Sequence, residues 1–372
     1  MKNITDFDPF MAIVDPDIDG ITWFSPLNKE MFASYGSESF YEGDYARLSR
    51  SEREEIKNIS ESVEWLSKHS AGLQLKFKTN STRILIDVEL RAPHDMCHMP
   101  ATGQCGFDIY VYDSEMNDYV LHNTATYKIS ELKYRAELSV FSYFSKDLIE
   151  REYIINFPLY QGVKDLKIGL DSISQTKPVK FRNDGKIIIY GTSIAQGGCV
   201  SRPGLMYSNI LSRWFDIEFY NQGYSGSAML EPIMGSIIGR VSNPKLLVID
   251  AEANAGCDLT MEKNLEDFIN NYKKYHEDVP ILLVSRCLFN LDRLDIKKVE
   301  LRKYYKEFYE NLIKKFENKG HKIYFLNGDN FFDGFKFNYT EFTVDGVHPT
   351  DFGNYLIAKH HYEAINLILK II

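Results

Sequence analysis

The order and spacing of one serine, one aspartate and one histidine in the sequence suit a catalytic triad, in which the serine attacks an acyl carbonyl. Ser193 follows the apolar run 187–190 in a Gly-Thr-Ser turn, and Asp345 precedes His348 by three residues near the end of the chain. A serine hydroxyl needs a base to become nucleophilic, and a carboxylate three residues before a histidine can hold Nδ1–H so that Nε2 faces the serine. We therefore predict Ser193 as nucleophile, His348 as base and Asp345 as the carboxylate that orients the base.

The order of these residues along the chain narrows the class of serine hydrolase. The serine comes first, and the acid and the histidine are almost adjacent. This excludes the chymotrypsin order and differs from the α/β-hydrolases, whose acid and histidine are usually well separated. Ser225 lies in GYSGS (223–227), which nearly matches the G-x-S-x-G signature of that second class. Its last position is serine and no helix clearly follows, so we do not predict Ser225 as the nucleophile.

Acyl transfer also needs hydrogen-bond donors for the developing oxyanion, and losing one typically costs about 2.7–4 kcal/mol. Gly223 and Asn254 follow the second and third predicted strands of the second half. We predict that the backbone N–H groups of Ser193 and Gly223 and the side-chain amide of Asn254 form this oxyanion hole. The alternatives are that Gly223 only provides a positive φ and that Asn254 only satisfies loop backbone.

The window 94–105 contains four potential metal ligands, His94, Cys97, His98 and Cys105. Their spacing matches no standard zinc pattern, so we interpret the window as a packed loop and predict neither a metal nor an organic cofactor. Arg202 and Arg286 could contact an anionic substrate, but structural or solvated arginines are more common, and we expect that role for both.

The second half of the chain has the pattern that would bring these catalytic residues together. Short apolar strands are predicted at 186–190, 217–221, 246–250, 281–285 and 323–326. They alternate with amphipathic helices around 265–272 and 305–316, and a last helix is predicted over 352–372. This alternation indicates a three-layer α/β domain with a parallel five-stranded sheet. Reactive groups collect at the carboxyl ends of the strands in such a sheet, where Ser193 would lie.

The first half has a different period. Apolar and polar residues alternate from about 71 to 181, as in 84–90 and 107–112, with short polar or glycine-containing turns between the runs. Further strands are predicted at 72–78, 119–127, 153–157, 166–170 and 178–181, and 51–69 is expected to be helical in part. Closely spaced strands with little helix predict an antiparallel β-sandwich of the jelly-roll kind. We place the domain boundary between 180 and 181, which gives domains 1–180 and 181–372.

Composition excludes several classes of protein. The 372 residues include 43 Lys+Arg and 52 Asp+Glu, and the formal net charge of -9 disfavours a general nucleic-acid binder. No apolar run approaches the about 20 residues that cross a bilayer, and the start of the chain lacks the apolar core of a secretory signal, so we expect a cytoplasmic protein or a mature exported form. Five scattered cysteines without a CxxC pair predict reduced thiols.

Four short blocks resemble those of the SGNH (GDSL-type) hydrolases, which supply Ser, Gly, Asn and His in this order along a flavodoxin-like sheet. Here the blocks contain Ser193, Gly223, Asn254 and the DGVHP stretch at 345–349. Thr192 stands where the eponymous motif has Asp, and Asn254 lies in Glu-Ala-Asn-Ala where the usual form is Gly-x-Asn-Asp.

A second resemblance covers the first half. The HMPATG stretch at 98–103, followed by GFDIY at 106–110, resembles the GxDLY-type β domain of one SGNH esterase subfamily, and so does QGGCVSRPG at 196–204. The resemblance implies a Ser-His-Asp triad and hydrolysis of small acyl esters, often on carbohydrates. We therefore expect a serine esterase that takes a small-molecule or glycan ester, with acetyl as the expected acyl group and no nucleic-acid or membrane partner. The oligomeric state is not predicted.

Two other functions stay open at this point. An O-acyltransferase could use the same triad with an acceptor hydroxyl in place of water. A noncatalytic carbohydrate-binding protein could keep the same scaffold, although the presence of Ser193, Asp345 and His348 together counts against that alternative.

Overall fold

The computed structural model of this chain describes residues 2–141, 149–334 and 338–370. The strands of its first half are β1 (Ile21–Phe24), β2 (Ala33–Tyr35), β3 (Gln74–Thr79), β4 (Arg83–Leu90), β5 (Asp108–Asp113), β6 (Asp118–Thr124), β7 (Lys133–Val140), β8 (Arg151–Asn156), β9 (Val163–Asp171) and β10 (Thr176–Pro178). They form two antiparallel sheets. One has the order β1-β9-β4-β7 and the other β10-β3-β8-β5-β6, with β2 paired to β3.

The two sheets share one apolar core. Leu75 and Phe77 from β3 pack in the same cluster as Ile84 and Ile86 from β4 and Ile168 from β9. In β3 the two residues alternate with Gln74, Lys76 and Lys78, because successive side chains of a strand point to opposite faces of the sheet. The predicted antiparallel β-sandwich is therefore confirmed.

Three helices of the first half are α1 (Arg50–Lys57), α2 (Glu61–Leu66) and α3 (Ala101–Gln104). A capping box at Ser49 begins α1, since the Ser49 hydroxyl accepts from the Glu52 N–H and the Glu52 carboxylate accepts from the Ser49 N–H. Leu48, Ile56, Val63 and Leu66 are buried in the core of the second half and not in the sandwich. The segment 48–66 thus precedes the sandwich strands in sequence but belongs to the packing of the second half.

The second half contains strands β11 (Lys186–Gly191), β12 (Glu218–Gly223), β13 (Pro244–Asp250), β14 (Ile281–Val284) and β15 (Ile323–Leu326). Its helices are α4 (Ser193–Gln196), α5 (Tyr207–Phe215), α6 (Pro232–Gly239), α7 (Glu252–Ala255), α8 (Thr260–Lys273), α9 (Ile296–Glu317) and α10 (Asp351–Leu369). All neighbouring strands pair in parallel, in the order β12-β11-β13-β14-β15. This flavodoxin-like order confirms the predicted sheet. Residues 371 and 372 of the predicted last helix lie outside the described residues.

Helices cover both faces of this sheet, which explains why its strands are continuous apolar runs. Ile188 and Leu247 pack towards α6, α8 and α9, whereas Ile187 and Leu246 pack towards α5 and α10. Because the strands are parallel, their carboxyl ends lie at the same edge of the sheet. The helices α4 and α7 begin there, immediately after β11 and β13.

Polar contacts join the sandwich to the back of this domain. The fully buried ammonium group of Lys76 lies 2.8 Å from Asp216, and the Gly36 N–H donates to Glu218 at 2.9 Å. Buried ion pairs tolerate little displacement because an unpaired charge in the interior is costly. Among the described residues, no helix is long and apolar enough to cross a membrane.

Candidate active site

The turn after β11 presents Ser193 at the carboxyl edge of the sheet. Thr192 has extended backbone angles and its hydroxyl accepts from the Ile194 N–H, so the short helix α4 begins at Ser193. A side chain at Gly191 would meet Ala195 Cβ at 2.7 Å and the Asp250 carbonyl oxygen at 2.8 Å, which explains the glycine. The Ser193 side chain is partly accessible, with 9% of the residue exposed. Its backbone N–H has no hydrogen-bond partner among the residues that the structure describes.

His348 and Asp345 meet Ser193 from the turn before α10. Ser193 Oγ lies 2.9 Å from His348 Nε2, and His348 Nδ1 lies 2.7 Å from Asp345 Oδ2. The structure thus brings together the three residues that the sequence singles out, in the order serine, imidazole and carboxylate.

The turn 345–348 is held by its own carboxylate. Asp345 Oδ1 accepts the N–H groups of Val347 at 3.0 Å and His348 at 2.8 Å, and Gly346 between them has a φ of 87°. Burial alone would raise the pKa of Asp345, but the hydrogen bonds from the His348 backbone and ring and from Val347 lower it to about 2. The Asp345 carboxylate is therefore ionised at neutral pH.

Gly223 ends β12 beside α4, but its N–H is already engaged. It donates to Asn221 Oδ1 at 2.9 Å. A Cβ at Gly223 would lie 2.3 Å from the Gln196 nitrogen, so the glycine lets β12 approach the nucleophile helix closely. The Gly223 N–H is therefore not free to donate to a substrate, although the sequence predicted it as an oxyanion donor.

The loop after Gly223 carries a different free donor. Its ends are tied to the nucleophile turn and to α7, since the Tyr224 N–H donates to the Gly191 carbonyl at 2.7 Å and the Ala228 N–H to Asn254 Oδ1 at 3.3 Å. Between these anchors, Gly226 is exposed with a φ of 66°, and its N–H has no partner among the described residues. Sequence reasoning missed Gly226.

Asn254 lies in α7, directly after β13. Its Oδ1 accepts from the Ala228 N–H, and among the described residues its amide Nδ2 has no hydrogen-bond partner. Asn254 can therefore donate to a ligand without breaking an existing contact, and its role as an oxyanion donor stays a prediction.

Three buried residues that were not predicted as site residues support this arrangement. Gln196 Oε1 accepts from the Ser225 N–H at 2.9 Å, while its Nε2 lies 3.1 Å from His69 Nδ1. Burial and the nearby Arg47 lower the pKa of His69 to about 3, so the ring stays neutral and can accept this bond. The fully buried Arg47 donates to the Gly223 carbonyl and, at 2.7 Å, to the Leu66 carbonyl.

Three of the remaining candidates from the sequence have structural partners, namely Arg202, Arg286 and His94. Arg202 pairs with Asp108 at 3.3 Å, and Arg286 pairs with Asp292 at 2.5 Å. His94 Nε2 lies 3.1 Å from the Met99 carbonyl, and all five cysteines are free. In the described part of the chain, the only group of three potential metal ligands combines His98 with Cys199 and His348, and so does not match the window 94–105.

A cavity of about 370 Å³ opens beside the loop that carries Gly226. Ser225 and Ser227 of that loop line it together with Trp65, Asp95, Tyr160 and Gln161. Trp65 is 52% exposed although it is a large aromatic side chain. An exposed aromatic ring among polar side chains suits a ligand with both apolar and hydroxyl-bearing faces.

Comparisons with protein families match both halves of the chain. Residues 184–366 match the GDSL-like lipase/acylhydrolase family. Residues 21–176 match the GxDLY family, the N-terminus of SGNH-hydrolase-type esterases. A search among curated proteins finds no match.

Solved structures with the same architecture include a GDSL-like lipase from Bacteroides ovatus. It is 24% identical, with a TM-score of 0.81 over 94% of this chain and 98% of that one. A salicylyl-acyltransferase, SsfX3, from a tetracycline biosynthetic pathway is 15% identical, with a TM-score of 0.73 over 95% and 99%. A family two carbohydrate esterase from Clostridium thermocellum, in complex with cellohexaose, is 12% identical, with a TM-score of 0.57 over 81% and 94%.

Proposed function

The chain belongs to the SGNH (GDSL-type) hydrolase family, with a GxDLY-type N-terminal domain, and is a serine esterase; we propose that it hydrolyses small acyl esters, acetyl above all, of a carbohydrate or similar polar alcohol. The observation that carries this proposal is the continuous hydrogen-bonded chain from Ser193 Oγ through His348 to Asp345.

In the proposed reaction, Ser193 Oγ attacks the ester carbonyl while His348 Nε2 takes the hydroxyl proton. The C–O bond to the alcohol then breaks, and His348 returns the proton to the leaving oxygen. This leaves an acyl group on Ser193, which water removes by the same steps with His348 again as base. Asp345 keeps the proton of His348 on Nδ1 and stabilises the imidazolium that forms in each step.

The proposed oxyanion donors are the N–H groups of Ser193 and Gly226 and the amide Nδ2 of Asn254. Each is free of other partners among the described residues, which a donor to a transient oxyanion requires. We assign the role predicted for Gly223 to Gly226, because Asn221 already holds the Gly223 N–H. Gly223 instead keeps the loop against α4.

The alcohol of the substrate is proposed to occupy the cavity lined by Trp65, Tyr160 and Ser225. Asp95 and Gln161 supply carboxylate and amide groups there for hydroxyl groups, and the ring of Trp65 offers a face for a sugar. No metal or organic cofactor takes part in these steps.

The domain division at 180/181 is also proposed, since the two family matches end at 176 and begin again at 184. The segment 48–66 departs from this division, because it belongs to the first domain by sequence but packs with the second domain.

Replacement of Ser193 by alanine tests the proposed function. The variant should fold normally and lose hydrolysis of p-nitrophenyl acetate, and undiminished turnover would contradict the proposal. Product analysis with added sugar acceptors tests the acyltransferase alternative, because a transferase would divert the acyl group to the acceptor, whereas an esterase would release the free acid.

A further inference from the structure

Three potential metal ligands converge at the mouth of the proposed active site. One ligand atom from each of His98, Cys199 and His348 lies within 4.8 Å of the other two. His98 comes from the loop before α3 in the first domain, Cys199 from the turn after α4, and His348 from the turn before α10. His98 meets the other two residues only because the two domains are packed together.

The backbone around Cys199 is held in a special conformation. Cys199 has a φ of 73°, in the left-handed region that is unfavourable for a residue with a Cβ. The preceding Gly198 packs under the imidazole, since a Cβ there would lie 3.3 Å from His348 Cδ2 and 3.1 Å from the Ser193 carbonyl oxygen. Strain of this kind persists where the surroundings impose it, and is common at functional sites.

The loop that carries His98 is fixed against the same turn. Thr102 Oγ1 donates to the Ser201 carbonyl at 2.6 Å, and Gly103 lies so close to the Val200 carbonyl that a Cβ would be 2.1 Å from its oxygen. The centroids of the His98 and His348 rings are 5.8 Å apart in an edge-on arrangement. The exposed side chain of His98 therefore lies next to His348.

Two imidazoles and a thiolate are ligands that Zn²⁺ prefers. With Zn–N of about 2.0–2.1 Å and Zn–S of about 2.3 Å, tetrahedral ligand atoms lie about 3.3–3.6 Å apart. The ligand atoms, which lie within 4.8 Å of one another, therefore have to approach by up to about 1.2–1.5 Å, through rotation of the exposed His98 and smaller rotations of the other two side chains. Since Asp345 occupies Nδ1 of His348, the nitrogen available to a metal is Nε2, the one that faces Ser193.

We propose that His98, Cys199 and His348 bind one Zn²⁺ ion reversibly and that this binding inhibits the enzyme. The Cys199 thiol releases its proton to solvent as the Zn–S bond forms, and water fills the fourth position. Zinc on Nε2 removes the base from Ser193 and ties the first domain across the mouth of the site. The inhibition rests on the proposed function, whereas the binding does not.

Calorimetric titration with Zn²⁺ tests the binding. The wild-type protein should bind one equivalent, and His98→Ala and Cys199→Ser should each weaken binding by roughly tenfold or more. Ser193→Ala should still bind, because it keeps all three ligands. Cys257→Ser, which changes an exposed thiol elsewhere, is the matched control and should bind like the wild type. The zinc site would be overturned if the wild type did not bind zinc. It would also be overturned if His98→Ala and Cys199→Ser bound zinc as tightly as the wild type.

Hydrolysis of p-nitrophenyl acetate tests the inhibition. Zn²⁺ should inhibit the wild type, a chelator should restore activity, and Mg²⁺ should have no effect. His98→Ala should keep its basal activity and need at least tenfold more zinc for half inhibition. Equal sensitivity of His98→Ala, or full activity of the zinc-bound wild type, would overturn the inhibitory role. Absence of hydrolysis in the metal-free wild type would instead contradict the proposed function, and the calorimetric result would stand independently.

Discussion

Gln196 accepts a hydrogen bond from the Ser225 N–H at 2.9 Å, and this contact ties the nucleophile helix to the loop that carries Gly226. The same side chain lies 3.1 Å from His69 Nδ1 and donates to the Leu159 carbonyl at 3.2 Å, so it cannot turn away without losing several partners. Gln196 therefore sets the distance between Ser193 and the proposed oxyanion donor.

Replacement of Gln196 by alanine should lower kcat roughly tenfold to a hundredfold and change KM much less. A displacement of about 1 Å in a catalytic group can cost about a hundredfold in rate, and an oxyanion donor, the role proposed for Gly226, acts mainly in the transition state. Gln196→Glu keeps an acceptor for the Ser225 N–H and should recover part of kcat. Steady-state kinetics check both variants, and equal kcat values for wild type and alanine variant would refute the positioning role.

Asn254→Ala should lower kcat by about 10²–10³-fold, the usual cost of losing one oxyanion donor. Asn254→Asp is the matched control, because it keeps the acceptor for the Ala228 N–H but removes the donor. If Asn254 acts as a donor, the aspartate variant should be at least as impaired as the alanine variant. Near wild-type turnover by Asn254→Asp would show that only the contact with Ala228 matters.

Asp345→Asn should lower kcat by about 10²–10⁴-fold without a comparable loss of folding stability. The asparagine amide can donate to Nδ1 and so place the ring proton on Nε2, where it blocks acceptance of the serine proton. Glu341→Gln changes an exposed carboxylate four residues earlier and should leave kcat unchanged. Comparable activities of the two variants would argue against a role for Asp345 in orienting His348.

The buried Asp250 should make stability depend on pH. Burial raises its pKa to about 7, even though Tyr207 donates to it at 3.2 Å. Between about pH 4 and 7 the native protein retains a proton that the unfolded chain has released, so the contribution of Asp250 to the free energy of unfolding falls as pH rises.

Asp250→Asn removes this titration and should gain stability relative to the wild type across that window, by up to about 4 kcal/mol at pH 7 and above. Thermal unfolding at several pH values measures the difference, with the exposed Asp267→Asn as control. A constant difference in Tm from pH 4 to pH 8 would contradict the raised pKa.

The sheet and the residues at its edge could be predicted because they depend on local patterns. The continuous apolar runs of β11 and β13 identify buried parallel strands, and Ser193 directly follows the first of them. The alternation in β7, with Tyr134, Ala136 and Leu138 buried, is a comparable signal that the predicted strands did not include.

Other features depend on contacts that are distant in sequence. Nothing near Arg47 indicates that its guanidinium reaches the Gly223 carbonyl, and nothing near His98 indicates a neighbour at His348. The hydrogen bond of the Gly223 N–H, by contrast, has a local signal in the sequence. Asn221 lies two residues earlier and accepts this N–H, as asparagine often does in turns. That local signal favours Gly226 over Gly223 as the donor.

Covalent labelling with a fluorophosphonate, followed by peptide mass spectrometry, tests the nucleophile most directly. One phosphonyl adduct on Ser193, accompanied by loss of esterase activity, is expected in the wild type, and no adduct is expected in Ser193→Ala. An adduct on Ser225, or full inactivation of the wild type without modification of Ser193, would contradict Ser193 as the nucleophile.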